Sequence, residues 1–491
     1  MALLQTIRDR FFDIRSGEAP KAFGLSFYFF LVIAVFWVLK PLKRGLLIGY
    51  FGEDPITLVG WTLTGAEAEQ MGKVLNMFVA YAIVVAFTWL STRLSRQQLV
   101  AAFSAVFGGL FVLFAVTIEG LGQAGVWSFY VLGDIWTTVM VATFWAITND
   151  LNTADEAERL YGVIGLGGVV GGFVGASVVS GLVTDIGRAP LLLGLLLPLA
   201  AIVGLVYWIN RCEVQRGTCP EDEAPCCPEA DASASAEEAE ASGANAALEG
   251  AKLVFQSKYL LGIAGVLALY EVTSNVVDFQ LATVVETRIT SDLARDQFFG
   301  FIGQATGIVS ILVQLIVTPY VLKRFGVRVA LFVLPAVVLI GSMGFLAVPV
   351  LALAGFMSVG DNALNYSINQ SAKEALYTPT SQDAKYKAKA FIDMFVQRAA
   401  KVFSVGLNLS LPALVFGSVR WLSIPVIGII AAWLGVIRFL GQQFEARAAA
   451  QRTDAADGAP PDAATALADA EEPTDAGEAD AGATAEWGTA S

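Results

Sequence analysis

The chain contains no histidine. That excludes a metal site built on imidazole, a His-based proton relay and a nucleophile activated by a His base. No Gly-x-x-x-x-Gly-Lys-[Ser/Thr] motif occurs, so P-loop ATP hydrolysis is not supported. Charged residues are only 15% of the 491, against 56% hydrophobic. The net charge is −13, which argues against nucleic-acid binding, since that needs basic surface. The four cysteines (Cys212, Cys219, Cys226, Cys227) share one hydrophilic segment. Their spacing is not that of a zinc site, and they read as incidental thiols. The first 21 residues carry four basic and three acidic groups and no short apolar core with a cleavage site. A removed signal peptide is therefore not expected.

What the chain has in abundance is apolar runs. Its mean hydropathy is +0.63, and repeated runs of about 20 apolar residues read as transmembrane helices. Twelve fall at roughly 22–42, 73–92, 97–118, 124–147, 160–184, 188–209, 259–284, 297–320, 327–346, 349–370, 388–416 and 419–440. Residues 210–258 divide them six and six. This Ala/Glu/Ser-rich segment has ten acidic and four basic residues between Arg211 and Lys258 and reads as a disordered linker. Residues 441–491 read as a similar tail, with eleven acidic and two basic residues. Ahead of the first run, LLQTIRDRFFDI within residues 1–21 has an apolar face and could lie along the membrane surface.

With the N-terminus inside, internal segments hold 21 of the 31 Lys and Arg and external segments hold eight. That bias places both termini in the cytoplasm. The expected fold is an all-α membrane protein of two six-helix bundles, residues 22–209 and 259–440, of the major facilitator kind. In such proteins substrate binds near mid-membrane between the halves.

Ionisable groups inside spans are costly and face a cavity or a partner. Lys40, Lys43 and Arg44 stand in FWVLKPLKRGLL at the expected outer end of the first span. Pro41 is expected to break that helix. Lys40 and Lys43 share a helix face by their spacing; in a cavity they would attract a polyanion, and otherwise they snorkel to the surface. Asp134 is mid-span, where so short a side chain cannot reach water. Glu271 and Asp278 are two helical turns apart on one face, with Asn275 between them and Gln280 just beyond. This stripe suggests a water-accessible pathway, or helix–helix hydrogen bonding. Asp393, Arg398 and Lys401 in AFIDMFVQRAAKVF read as a gate or as structural charge pairs. The run GLGGVVGGFVGA (165–176) imitates a dinucleotide fingerprint, but no strand precedes it. Close helix packing is the better reading.

The stretch Ser371–Lys401 gathers six basic and three acidic residues. An internal loop alone would account for Lys385, Lys387 and Lys389. Its wording, KEALYTP followed by KYKAKAFID, also resembles a signature of the ATP/ADP translocases, the bacterial and plastid nucleotide transporter family. Other segments carry the same resemblance in the same order. KPLK supplies Lys40 and Lys43 where the family has Arg-x-x-Lys. DIWTTVMVATFWAITNDLNTADEAERLYG supplies Asp134, Trp136, Phe144, Trp145, Asn149, Glu156, Arg159 and Tyr161, and LYEVT supplies Glu271. Two departures bear on substrate: Lys40 stands for an arginine and loses its bidentate fork, and Asp134 stands for a glutamate. After Glu271, TSNVVDFQ differs from the Thr-Trp-Lys of well-studied members.

The resemblance implies a twelve-span antiporter, not an enzyme, that binds nucleotides and exchanges them, most simply ATP for ADP with or without phosphate. It implies Lys43, Asp134, Glu271 and Lys373 as the charged positions that handle nucleotide. Lys40, Arg44, Asn149, Asn275 and Asp278 complete the candidate substrate site. No cofactor and no metal are expected. The chain is expected to work as a monomer in a lipid bilayer, the bacterial inner membrane, with no nucleic-acid partner. Two rivals stay open. One is a proton-coupled major-facilitator-type transporter of another organic anion or solute, with Asp134, Glu271 or Asp278 carrying the proton. The other is a non-transporting membrane assembly or sensor protein.

Overall fold

The computed structural model describes residues 18–58, 61–91, 93–152, 154–215, 249–380, 388–412 and 418–457. Apart from one short hairpin, the described residues are helical or in short connections. The expected surface segment LLQTIRDRFFDI lies outside them, as do most of the expected linker and tail.

The chain enters α1 (Ala19–Glu53), crosses an antiparallel hairpin of β1 (Ile56–Leu58) and β2 (Trp61–Leu63), and continues into α2 (Gly65–Ser91). Then follow α3 (Arg96–Thr117), α4 (Gln123–Leu151) and α5 (Ala154–Ile186). Gly187, at φ +79°, turns the chain into α6 (Arg188–Gly194) and α7 (Leu196–Gln215). The second half opens with α8 (Lys258–Arg288) and α9 (Asp292–Leu312). A π-turn leads into α10 (Thr318–Ala347). The stretch Asp292–Ala347 is 56 residues of nearly unbroken helix. Straight, it would be far longer than a hydrocarbon core about 30 Å thick. Gly326, at φ +76°, ψ 179°, breaks it. The chain ends in α11 (Leu351–Leu364), α12 (Gln370–Leu376), α13 (Gln397–Leu411) and α14 (Ser423–Asp457).

Eight of the described helices are long and apolar enough to cross a membrane. The described residues through Gly441 form one compact body, and the described residues from Gln442 belong to a second unit. Two boundaries differ from the sequence reading. α1 runs straight through Pro41 and twelve residues beyond it, because the neighbouring helices hold the turn that proline weakens. α14 extends to Asp457, so the segment read as a tail begins in helix.

The glycine run packs α5 onto α1. A Cβ at Gly167, Gly171 or Gly175 would collide with the carbonyl oxygens of Ser26, Phe30 and Ala34. The i, i+4 spacing puts these three glycines in one stripe, and only glycine lets the two backbones approach so closely. Several residues that carry the family resemblance also serve this half. Buried Trp136 donates from Nε1 to Val32 O (3.1 Å), and the Phe144 ring stacks on Phe29 at 4.5 Å. Lys21 donates to Leu151 O (2.7 Å) and pairs with Glu156 (2.9 Å). Arg159 grips Glu18 with two bonds of 2.8 and 2.9 Å.

Candidate functional site

Seven helices, α1, α2, α4, α8, α9, α11 and α13, bring polar and charged side chains from both halves to one cavity of about 480 Å³. The volume is within the usual range for small-molecule sites, about 300–1,000 Å³. Its charged lining is unusual for a membrane protein interior. Lys40, Lys43, Arg44 and Lys73 come from the first half and Lys401 from the second; Glu69, Asp134, Glu271 and Asp278 oppose them.

Each charge but one has a carboxylate or cation partner. Lys43 bonds Asp134 across α1 and α4, with its ammonium 4.5 Å above the Tyr130 ring. Arg44 reaches Glu69 through Nε (2.8 Å) and Asp278 through Nη1 (2.7 Å), and its guanidinium lies 4.5 Å over Phe299. Lys73 meets the other oxygen of Asp278 at 2.6 Å. Lys401 stands 3.7 Å from Glu271. Lys40 has no carboxylate within ion-pair reach among the described residues. It lies 4.4 Å over Trp37 and 5.9 Å over Phe36. An ammonium there lies against ring faces with no carboxylate in contact and is the cation most ready for an incoming anion.

The eight basic residues assigned to external segments from sequence include Lys40, Lys43, Arg44 and Lys73. All four line the cavity inside long helices. Of the expected substrate residues, Lys40, Lys43, Arg44, Asp134, Glu271, Asn275 and Asp278 meet in the cavity. Lys373 stands at its margin. It donates to Asn365, which lines the cavity (3.3 Å), and lies 5.4 Å over the ring of Tyr270. Asn149 is elsewhere: it accepts from Tyr161 (2.6 Å) near the end of α4, away from the cavity. Gln280 turns away too, bonding Ser423 at 3.0 Å. The expected pairing of Asp393 and Arg398 with neighbouring helices does not form among the described residues. Asp393 accepts only from Gln397 on its own helix, and Arg398 is exposed. Lys401 alone of that trio reaches the site. Lys385 and Lys387 lie outside the described residues.

Sequence reasoning missed Glu69, Lys73 and Asp361. The first two were lost because the second span was started at residue 73, whereas α2 begins at Gly65, more than two turns earlier. Asp361 is buried behind the cavity wall and accepts from Ser274 at 2.5 Å. It stands inside an expected span, so the rule that flagged Asp134 applied to it equally.

The bonds that join the two halves among the described residues run from the middle of the cavity to the end opposite the linker. Besides the Asp278 contacts, Glu286 accepts from the first amides of α2, Gly65 (2.8 Å) and Ala66 (2.9 Å). Arg188 pairs with buried Asp296 (2.5 Å), Gln297 donates to Ser180 O (3.0 Å), and Asn408 donates to Gln70 (3.1 Å). The halves are therefore clasped at the far end.

The chain matches the family model described as TLC ATP/ADP transporter over residues 121–359. ADP,ATP carrier protein 1 of Chlamydia pneumoniae is 25% identical, with 92% of this chain and 96% of that protein covered. ADP,ATP carrier protein 2 of the same organism is 24% identical, covering 81% and 85%. The chloroplastic ADP,ATP carrier protein 2 of Arabidopsis thaliana is 23% identical, covering 89% and 77%. The resemblance read from the motifs is thus borne out across most of the chain. Among solved structures, a bacterial homologue of the iron transporter ferroportin, in its inward-facing state, superposes with a TM-score of 0.58 at 10% identity. It covers 87% of this chain and 99% of its own. A peptide transporter gives 0.55 at 14%, covering 89% and 98%. At these identities the likeness is one of fold: a helical, major-facilitator-like membrane protein.

Proposed function

We propose that this relative of the ADP,ATP carriers exchanges ATP for ADP, with or without phosphate, by alternating access of two six-helix halves in the bacterial inner membrane, both termini cytoplasmic. The observation that carries the reading is the cavity itself. Five cations from both halves converge on it, and one of them, Lys40, has aromatic rings and no carboxylate for company. A polyphosphate is the small metabolite whose charge such a site fits, and pairing is stronger there than in water. Lys40 and Lys43 take phosphate oxygens, with Arg44 and Lys73 behind them. Asp134 holds Lys43 while the site is empty. Glu271 and Asn275 accept from or donate to base and ribose. Lys373, on the linker side of the cavity, meets the substrate on its way in or out. The far-end clasp holds the two halves together on the side away from the linker. No bond is broken in the substrate, so no catalytic residue is required.

The test is uptake of labelled ATP into liposomes carrying the purified chain, preloaded with ADP or empty. Uptake that needs internal ADP and is lost in Lys40→Ala and Lys43→Ala supports exchange at this cavity. Uptake driven by a pH gradient alone, with no nucleotide required, would put the proton-coupled reading in its place.

A further inference from the structure

Asp278 is the one carboxylate that reaches across from the second half to two cations of the first. One oxygen takes Arg44 (2.7 Å), the other Lys73 (2.6 Å), and its backbone carbonyl takes a further Arg44 bond (3.1 Å). Glu69 completes the cluster from the first half, 2.8 Å from Arg44. The four groups together are neutral. For the far end to open, α8 must move away from α1 and α2. The first half would then keep Arg44, Lys73 and Glu69, one positive charge in excess, and the second half would keep an unpaired carboxylate. Separating a buried pair without replacing either partner is strongly unfavourable.

The other far-end bonds differ in one respect. Glu286 and Asp296 hold backbone amides and Arg188, none of which lines the cavity, whereas Arg44 and Lys73 both do. An anion bound in the cavity can therefore take over the cations that Asp278 releases, and can do so for no other clasp.

We propose that Asp278 is the positioning residue that makes exchange obligatory: the Arg44–Asp278–Lys73 bridge blocks the empty carrier from switching, and an anionic substrate unlocks it by replacing the Asp278 carboxylate. This rests on the carrier reading above. It assigns to Asp278 a role in coupling rather than in holding substrate. It accounts for a carboxylate at the heart of an anion site, where substrate binding alone would disfavour one.

The experiment compares the full-length protein, Asp278→Asn and Lys73→Gln in liposomes, with labelled ADP outside and ADP or nothing inside. The quantity read is the ratio of uptake into empty liposomes to uptake into loaded ones. For the unaltered protein it is near zero. For Asp278→Asn it rises towards one, whatever happens to the absolute rate, and for Lys73→Gln it rises less, because the Arg44 bond remains. An unaltered protein that already fills empty liposomes, or an Asp278→Asn protein that still demands internal ADP, overturns the proposal.

A second reading uses no substrate. In the nucleotide-free protein, amide hydrogen exchange of the β1–β2 hairpin and of Gly65 and Ala66 should quicken in Asp278→Asn by roughly tenfold, the scale of one lost charge-assisted hydrogen bond. Unchanged exchange there overturns the interlock even for a variant that transports nothing. If the unaltered protein moves no nucleotide but the far end loosens as expected, the interlock stands and the substrate assignment falls.

Discussion

Removing one partner of the Lys43–Asp134 pair should cost more than removing both. The Lys43 side chain is 7% exposed and that of Asp134 22%. Neutralising either one strands the other's charge in a poorly solvated wall. For buried pairs that penalty is about 3–5 kcal/mol. Cavity water reaches Asp134, so Lys43→Met should fall below that range, at about 2 kcal/mol. Asp134→Leu leaves an ammonium faced mainly by the Tyr130 ring, 4.5 Å away, and should cost about 3 kcal/mol. In the double variant no charge is stranded, and apolar groups of similar length fill the space. Its loss should be no more than about 2 kcal/mol, a coupling of about 3 kcal/mol between the sites. Reversible unfolding in mixed micelles, run on all four proteins, measures the cycle. Additive losses, with the double variant down by about 5 kcal/mol, would refute the claim that the two charges are stabilised chiefly by each other. Transport should be lost in Lys43→Met and in the double variant, because Lys43 is also the cation proposed to meet the substrate.

Lys40 should behave oppositely. With no carboxylate to strand, Lys40→Gln should leave stability unchanged or slightly raised. It should also weaken ATP by roughly tenfold in half-saturating concentration, the scale of one charge-assisted contact. A large loss of stability would show that Lys40 has a partner after all. Gly171→Val should push methyl groups against the Phe30 carbonyl and cost about 1–3 kcal/mol or more by overpacking. Gly204→Ala, at a position with open space around it, should be neutral or mildly stabilising; equal thermal midpoints for the two variants would contradict the packing role of the glycine stripe. Glu286→Gln should weaken its two bonds to the start of α2, seen as faster amide exchange at Gly65 and Ala66 with the rest of α2 unaltered.

Much of the site was legible one residue at a time. A charge in the middle of an apolar run is expensive enough to demand a reason, and that argument found Lys43, Asp134, Glu271 and Asp278. The failures are equally physical. Pro41 suggested a helix end, and this moved three cations out of the membrane on paper. In the folded chain the helix continues because its neighbours support the weakened turn. Glu69 and Lys73 were lost because a helix that lines a wet cavity begins with polar residues, and a search for apolar runs starts it too late. Asn149 shows the opposite error. It stands in a segment that carries the family resemblance, yet this segment builds the first half's linker-side end, where Asn149, Glu156, Arg159 and Tyr161 are knit together.

Composition and periodicity were enough for the membrane, for long apolar helices and for the packing role of the glycine run. These follow from local costs, namely apolar length against bilayer thickness and the steric demand of one stripe of a helix. Partnership could not be read that way. Lys43 with Asp134, and Asp278 with both Arg44 and Lys73, join residues 91, 234 and 205 positions apart. The same charges on the same helices could have paired within their own halves. Which cation was left to the rings of Trp37 and Phe36, and which carboxylate came to bridge the halves, depended on how the two bundles met. Ion-pair energy depends on distance through space, and only the packing of the helices sets that distance.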